Sequence, residues 1–75
     1  MQDLIKYIAT SLVDDPAAVE VSSRQQHGET HIELSVADED MGRVIGRKGR
    51  VANAMRSLLR VAASRRGSRA TLDIV

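Results

Sequence analysis

Cysteine, tryptophan and phenylalanine are absent from this chain of 75 residues, and Tyr7 is its single aromatic residue. The lack of cysteine excludes a disulfide framework and a thiolate zinc site as supports for a small core. The lack of rings beyond Tyr7 requires an aliphatic core and excludes a surface on which several aromatic side chains stack nucleic-acid bases. A chain this short buries only about 60% of its unfolded surface. We therefore expect one domain over residues 1–75, with no separate cofactor and substrate domains.

Long apolar runs are also missing. No run approaches the roughly 20 residues that cross a bilayer, and the first four residues, Met-Gln-Asp-Leu, lack the basic region of a secretory signal. Hydrophobic residues make up 43% of the chain, which is normal for a globular protein and too high for a disordered one. The sequence predicts a cytoplasmic protein with no membrane partner.

The formal net charge of +1 argues, taken alone, against a polyanionic partner. The charges are unevenly distributed, however. Residues 1–40 carry two basic and nine acidic side chains, a net −7, whereas residues 41–75 carry nine basic and one acidic, a net +8. Such asymmetry indicates either a face that binds a polyanion or two solvated surfaces that attract each other.

Apolar periodicity predicts three elements in the first half of the chain. Helical spacing from Leu4 to Leu12 indicates an amphipathic helix, and Pro16 ends it because the residue before a proline is disfavoured in the α region. Alternation then predicts a strand over residues 19–24 with one face buried, and a second strand over residues 29–36. A turn at residues 26–28 should join them as a hairpin.

The second half predicts two helices and a strand. Asp38, Glu39 and Asp40 supply cap candidates for a short helix over residues 41–45. A longer helix begins at Arg50 and ends near Gly67, the expected residue after its C-cap. Residues 70–74 alternate as a closing strand. The order α-β-β-α-α-β predicts an α+β domain of two layers, a three-stranded sheet with helices on one face.

The two helices are joined by a basic, glycine-rich segment, residues 42–50 (GRVIGRKGR). Gly46 and Gly49 on either side of Arg47 and Lys48 let a phosphate backbone approach the loop and the start of the second helix. A nucleoside-triphosphate loop is excluded because no serine or threonine follows Lys48, and a dinucleotide fingerprint would directly follow a strand. The residues therefore predict a phosphate-binding helix–GxxG–helix.

The motif V-I-G-R-K-G at residues 44–49 resembles that of KH domains, whose GxxG loop clamps about four nucleotides. The element order, with an extra helix and strand before the core, is similar to the type II, bacterial form. Along the whole chain the sequence resembles the small single-domain bacterial KH proteins of the KhpA family. This similarity is carried by residues 4–9, 12–16 and 39–50.

The resemblance implies a non-catalytic protein that binds single-stranded RNA without a cofactor or metal, its bases lying in an aliphatic groove. It also implies an RNA chaperone or post-transcriptional regulator linked to cell-wall homeostasis and cell length, acting with a KhpB (Jag)-type KH partner as a homodimer or heterodimer. One of the apolar pair before the loop is expected to belong to the core. The implied RNA-binding residues are Gly46, Arg47, Lys48, Gly49, Arg43, Val44, Ile45 and Arg50, with Ile32, Leu34, Gly42 and Asn53 as further groove residues.

Two other functions stay open on the residues alone. One is a dimerisation scaffold with little RNA binding of its own. The other is an enzyme for a phosphorylated small molecule, which is disfavoured because no nucleophile–base pair or metal set accompanies the loop. Several other residues are interpreted as structural: Arg56, Arg60, Arg65 and Arg66 as a solvated face, His27 and His31 as turn and exposed strand residues, and Tyr7 as a partly buried helix residue.

Overall fold

A computed structural model describes residues 1–75 of the chain. Its order of helices and strands confirms the predicted α-β-β-α-α-β arrangement. The elements are α1 (Gln2–Leu12), β1 (Glu20–Gln26), β2 (Glu29–Ser35), α2 (Met41–Ile45), α3 (Arg50–Arg65) and β3 (Arg69–Ile74), with short 3₁₀ turns at Pro16–Ala18, Asp38–Asp40 and Arg47–Gly49. None of the helices has the length and apolar composition needed to cross a membrane.

The three strands form one sheet in the order β1-β2-β3. β1 and β2 pair antiparallel across a two-residue turn in which His27 and Gly28 both have positive φ angles, 53° and 77°. This is the backbone of a type I′ turn, whose twist matches that of the strands. β2 and β3 pair in parallel, which requires a crossover connection, and α2 with α3 supplies it. The topology is that of a type II KH domain, as expected.

The core is aliphatic, as the scarcity of aromatic residues requires. It lies between one face of the sheet and the three helices, and alternate residues of β2 point into it. β2 is the central strand, and α1 packs against it. The buried cluster contains Ile5, Ala9, Val19, Ile32, Leu34, Val36, Val44, Met55, Leu59 and Leu72.

The first strand departs from the prediction that it buries one face. Val19 is buried but precedes the strand, Val21 is half-buried and Ser23 is exposed. The reason is that β1 is an edge strand covered only by α1. There the Gln2 side chain donates to the Val21 carbonyl and accepts a bond from the Ser23 hydroxyl, both at 2.9 Å. A polar clamp therefore covers part of this edge where apolar burial was expected. β2 also ends one residue earlier than predicted, at Ser35.

The acidic segment before α2 does not cap that helix through its side chains. Asp40 occupies the N-cap position without a capping hydrogen bond, and it is only 1% exposed. Its two carboxylate oxygens instead accept the backbone N–H groups of Asp14 and Asp15, each at 3.1 Å. Asp40 thus fastens the segment after α1 to the start of α2. The prediction for Tyr7 is also wrong, since its side chain points outward from α1 and is 72% exposed.

The end of α3 confirms the prediction made for Gly67. This glycine has a φ of 69°, its N–H donates to the Ser64 carbonyl at 3.0 Å, and the N–H of Ser68 donates to the Ala63 carbonyl at 2.9 Å. These two bonds form a Schellman motif. The motif reverses the chain, so β3 runs back along α3 toward the glycine loop.

Candidate functional site

The glycine loop between α2 and α3 is held in a backbone conformation that few residues adopt. Gly46 has φ 77° and ψ 170°, Lys48 has φ 57° and Gly49 has φ 75°. A Cβ atom on Gly46 would lie 2.5 Å from Cγ2 and 2.8 Å from the backbone nitrogen of Val51. Gly46 is therefore required both by its dihedral angles and by the close approach of the first turn of α3.

The loop leaves positive charges available to a ligand. The N–H of Gly46 donates to the Gly42 carbonyl at 2.9 Å and that of Gly49 donates to Gly46 at 3.1 Å. The Arg47, Lys48 and Arg50 side chains are exposed. None of these side chains forms an ion pair. They surround the N-terminus of α3, where the helix dipole adds a partial positive charge.

Arg43 differs from the other cations because its charge is already paired. Its guanidinium contacts the Asp40 carboxylate at 2.9 Å and the Asp14 carboxylate at 3.0 Å, and it donates to the Glu39 carbonyl at 3.3 Å. The sequence grouped Arg43 with the loop because it is adjacent in the chain. The structure separates Arg43 from the loop cations, since Asp40, three residues before it, and the distant Asp14 neutralise its charge.

The same contacts perturb one carboxyl group of the protein. The backbone N–H of Asp14 lowers the pKa of Asp40 below its ordinary value, and the N–H of Asp15 and the charge of Arg43 add to this effect against the opposing influence of burial. Asp40 is therefore ionised at neutral pH and holds Arg43 in place.

Three of the four apolar side chains expected to line an aliphatic groove are buried in the core. Val44, Ile32 and Leu34 are at most 1% exposed and belong to the core. Ile45 is half-buried and Gly42 is exposed. The expectation that one residue of the pair before the loop belongs to the core is confirmed by Val44.

A polar groove lies instead between α3 and the outer edge of β3; we call it the α3–β3 groove. Asn53 begins it, with its Nδ2 atom 3.8 Å from the position of a Cβ on Gly49. Its Oδ1 atom accepts a hydrogen bond from Arg56 at 3.2 Å, and Arg56 Nε donates to the Leu72 carbonyl of β3 at 3.2 Å. The sequence interpretation of Arg56 as a solvated cation missed this contact. Its spacing of three residues from Asn53 was the available signal.

No three side chains among histidine, aspartate and glutamate gather in an arrangement that could hold a metal ion. The loop and the α3–β3 groove together offer a helix N-terminus, unpaired cations and an amide. This chemistry suits a phosphate chain with hydrogen-bonding groups attached to it.

Comparison with known proteins agrees with the fold. The family model described as KhpA/KhpB, KH domain, matches residues 2–74. A protein of Caldanaerobacter subterraneus subsp. tengcongensis, named RNA-binding protein KhpA, is 48% identical over 75 residues that cover all of both chains. Relatives of the same name are 47% identical in Halalkalibacterium halodurans, over all of this chain and 99% of the relative, and 43% identical in Treponema pallidum, over 99% and 92%. No solved structure matches the chain. The chain therefore belongs to the KhpA/KhpB family of KH domains.

Proposed function

We propose that this protein binds single-stranded RNA and does not catalyse a reaction on it. The observation that carries the proposal is the loop at residues 46–49, which presents Arg47 and Lys48 without ion-pair partners at the N-terminus of α3. A KH loop of this kind clamps about four nucleotides. The names of the relatives, RNA-binding protein KhpA, support the same ligand.

In the proposed complex the loop holds phosphates and the α3–β3 groove receives the bases. Asn53 and Arg56 lie beside the outer edge of β3, whose outward backbone groups have no neighbouring strand. These groups can hydrogen-bond to base edges. The chain offers no aromatic ring in the groove, so the stacking contribution of about 1–3 kcal/mol per base is absent. A single domain should therefore bind with modest affinity.

A double charge reversal, Arg47→Asp with Lys48→Asp, tests the proposed site. Binding to a short single-stranded RNA should collapse. The slope of log K against log salt should become less steep by about 1.4, for two phosphate contacts at about 0.7 each. The matched control is Arg65→Asp with Arg66→Asp, which changes the charge equally at the other end of α3. Circular dichroism should show both variants folded. Unchanged RNA binding in the loop variant would overturn the proposed site.

We further propose an RNA chaperone or post-transcriptional regulator in the cytoplasm, acting with a KhpB (Jag)-type KH partner and influencing cell-wall homeostasis and cell length. One groove reads only a few nucleotides, so useful specificity calls for a second binding unit. A second KH domain would supply that unit. Affinity purification after RNA cross-linking should recover such a partner and a defined RNA set. A gene deletion that leaves cell length unchanged would count against the proposed biological role.

An apolar pair on α3 supports self-association as a second property. Leu58 and Val61 are 49% and 55% exposed, and they lie on the side of the helix away from Asn53 and Arg56. We propose that a second copy of this chain covers them, because a small domain gains stability from such an interface. Leu58→Asp should shift the sedimenting species from dimer to monomer, whereas Leu12→Asp on α1 should not. A wild-type chain that is monomeric at high concentration would refute this.

A further inference from the structure

The α3–β3 groove does not end at Arg56. A depression of about 600 Å³ lies between the last turns of α3 and the first residues of β3. Because β3 runs back along α3, this depression and the glycine loop lie at opposite ends of one groove. Eleven residues separate Gly49 from Arg60, which is about 16 Å along the helix at 1.5 Å per residue.

The walls of the depression combine apolar and hydrogen-bonding groups. Ala63 and Ala70 contribute the apolar surface, the Ser64 hydroxyl can donate or accept, and the Glu29 carboxylate accepts. The Ser68 hydroxyl donates to the Ala63 carbonyl at 3.4 Å and can accept a further bond. A flat ring with donors and acceptors on its edge fits such walls better than a phosphate does, because a phosphate would face the Glu29 carboxylate. The chemistry points to a nucleobase.

Two cations stand at the rim of the depression. Arg60 lines it and forms no ion pair. Arg69 is 85% exposed and reaches only the Glu29 carboxylate, at 4.0 Å. An ion pair this long and exposed contributes little, so both guanidinium groups are available to a phosphate next to the base.

A row of polar side chains on α3 runs between the two ends of the groove. Asn53, Arg56 and Arg60 follow one another at spacings of three and four residues, which places them on one face of α3. Arg56 bonds to the edge of β3 between the two ends. An RNA strand that extends from the glycine loop along this face of α3 reaches the depression.

We propose that the depression is an additional nucleotide subsite, which takes one base of the same RNA strand between Ser64 and Ala70 and its phosphate on Arg60 and Arg69. The proposal rests on the RNA binding proposed above. It extends the binding path beyond the nucleotides that the loop clamps.

The test measures the affinity of wild-type protein for oligouridylates of four to eight nucleotides by fluorescence anisotropy. Affinity should increase by a step of at least about tenfold, the size of one charge-assisted contact, once the strand reaches the depression. Arg60→Ala with Arg69→Ala should retain tetranucleotide binding and lose the step. Its salt slope for the longer RNA should be less steep by about 0.7, for the one phosphate that the two arginines hold. The control Arg65→Ala with Arg66→Ala removes two charges from the same helix end, outside the depression, and should keep the step.

A second variant separates base binding from charge. Ser64→Leu fills the depression on an exposed helix position without changing the net charge, so the step should disappear while tetranucleotide affinity stays at the wild-type value. A step that persists in Ser64→Leu, or in the double arginine variant, overturns the subsite. Failure of the underlying RNA-binding proposal would look different, since wild-type protein would then bind none of the oligonucleotides.

Discussion

Replacing Gly46 by alanine should destabilise the protein far more than the same replacement at Gly49, although both residues frame one loop. The Gly46 backbone, at φ 77° and ψ 170°, lies in a region that is essentially restricted to glycine and costs other residues about 1–3 kcal/mol. The new Cβ would also lie 2.5 Å from Val51 Cγ2 and 2.8 Å from Val51 N, and overpacking of this kind costs about 1–3 kcal/mol. We expect Gly46→Ala to lower the free energy of unfolding by about 2–6 kcal/mol.

Gly49→Ala, the matched change, lacks the overpacking contribution. Its backbone, at φ 75° and ψ 16°, is in the ordinary left-handed region, which costs an L residue about 1–2 kcal/mol. The nearest atom to a new Cβ there is Asn53 Nδ2 at 3.8 Å, an ordinary van der Waals distance. Gly49→Ala should therefore lower the free energy of unfolding by about 1–2 kcal/mol.

Urea and thermal unfolding followed by circular dichroism can measure this difference. For a domain of this size each kcal/mol shifts the Tm by about 4–8 °C, so the two variants should be clearly separated. Adding Val51→Ala to the Gly46→Ala variant removes the Cγ2 contact but not the contact with the backbone nitrogen, and should restore only part of the loss. Equal destabilisation by the two glycine replacements would refute the argument from close approach.

Two further predictions concern strain and pH. Lys48 has a left-handed backbone, with φ 57°. Lys48→Gly should therefore be about 1 kcal/mol more stable than Lys48→Ala, although both variants remove the same charge. Equal urea midpoints of the two variants would argue against backbone strain at this position. The pKa of Asp40 is lowered in the folded state, so its ionised carboxylate stabilises the fold above the ordinary aspartate pKa of about 3.9, and this contribution is lost as the pH falls through the lower folded value. Asp40→Asn should therefore be less stable than wild type at neutral pH. In urea unfolding at decreasing pH, the difference in free energy of unfolding between the two proteins should shrink. A difference that stays constant down to strongly acidic pH would contradict this assignment.

Much of the fold could be predicted because the relevant signals are local. The hairpin at His27 and Gly28, the end of α3 at Gly67 and the required glycine at Gly46 all depend on dihedral angles that neighbouring residues determine. Alternation in β2 also predicted its buried face correctly. It failed for Ser23 because the periodicity of a strand does not reveal whether a helix covers it.

The candidate site was predictable only in part, for a related reason. Residues next to the loop in the chain were grouped with it, yet Val44 points into the core and Arg43 bonds to Asp14 and Asp40. Arg56, which is further away in sequence, lies at the groove and bonds to β3. Proximity in sequence indicated which elements meet at the site but not which side chains face it.

The sequence by itself determined the order of elements, the glycine loop with its two cations and the basic character of the half that contains it. These depend on residue type and short-range spacing. Only the tertiary structure decided which charges are free. Asp40 lies 26 residues from Asp14 in the chain, and their packing neutralises Arg43 while Arg47 and Lys48 remain unpaired. The physical reason is that a charge is neutralised by the groups within a few ångströms of it, and the packing of α1, α2 and the sheet determines those distances.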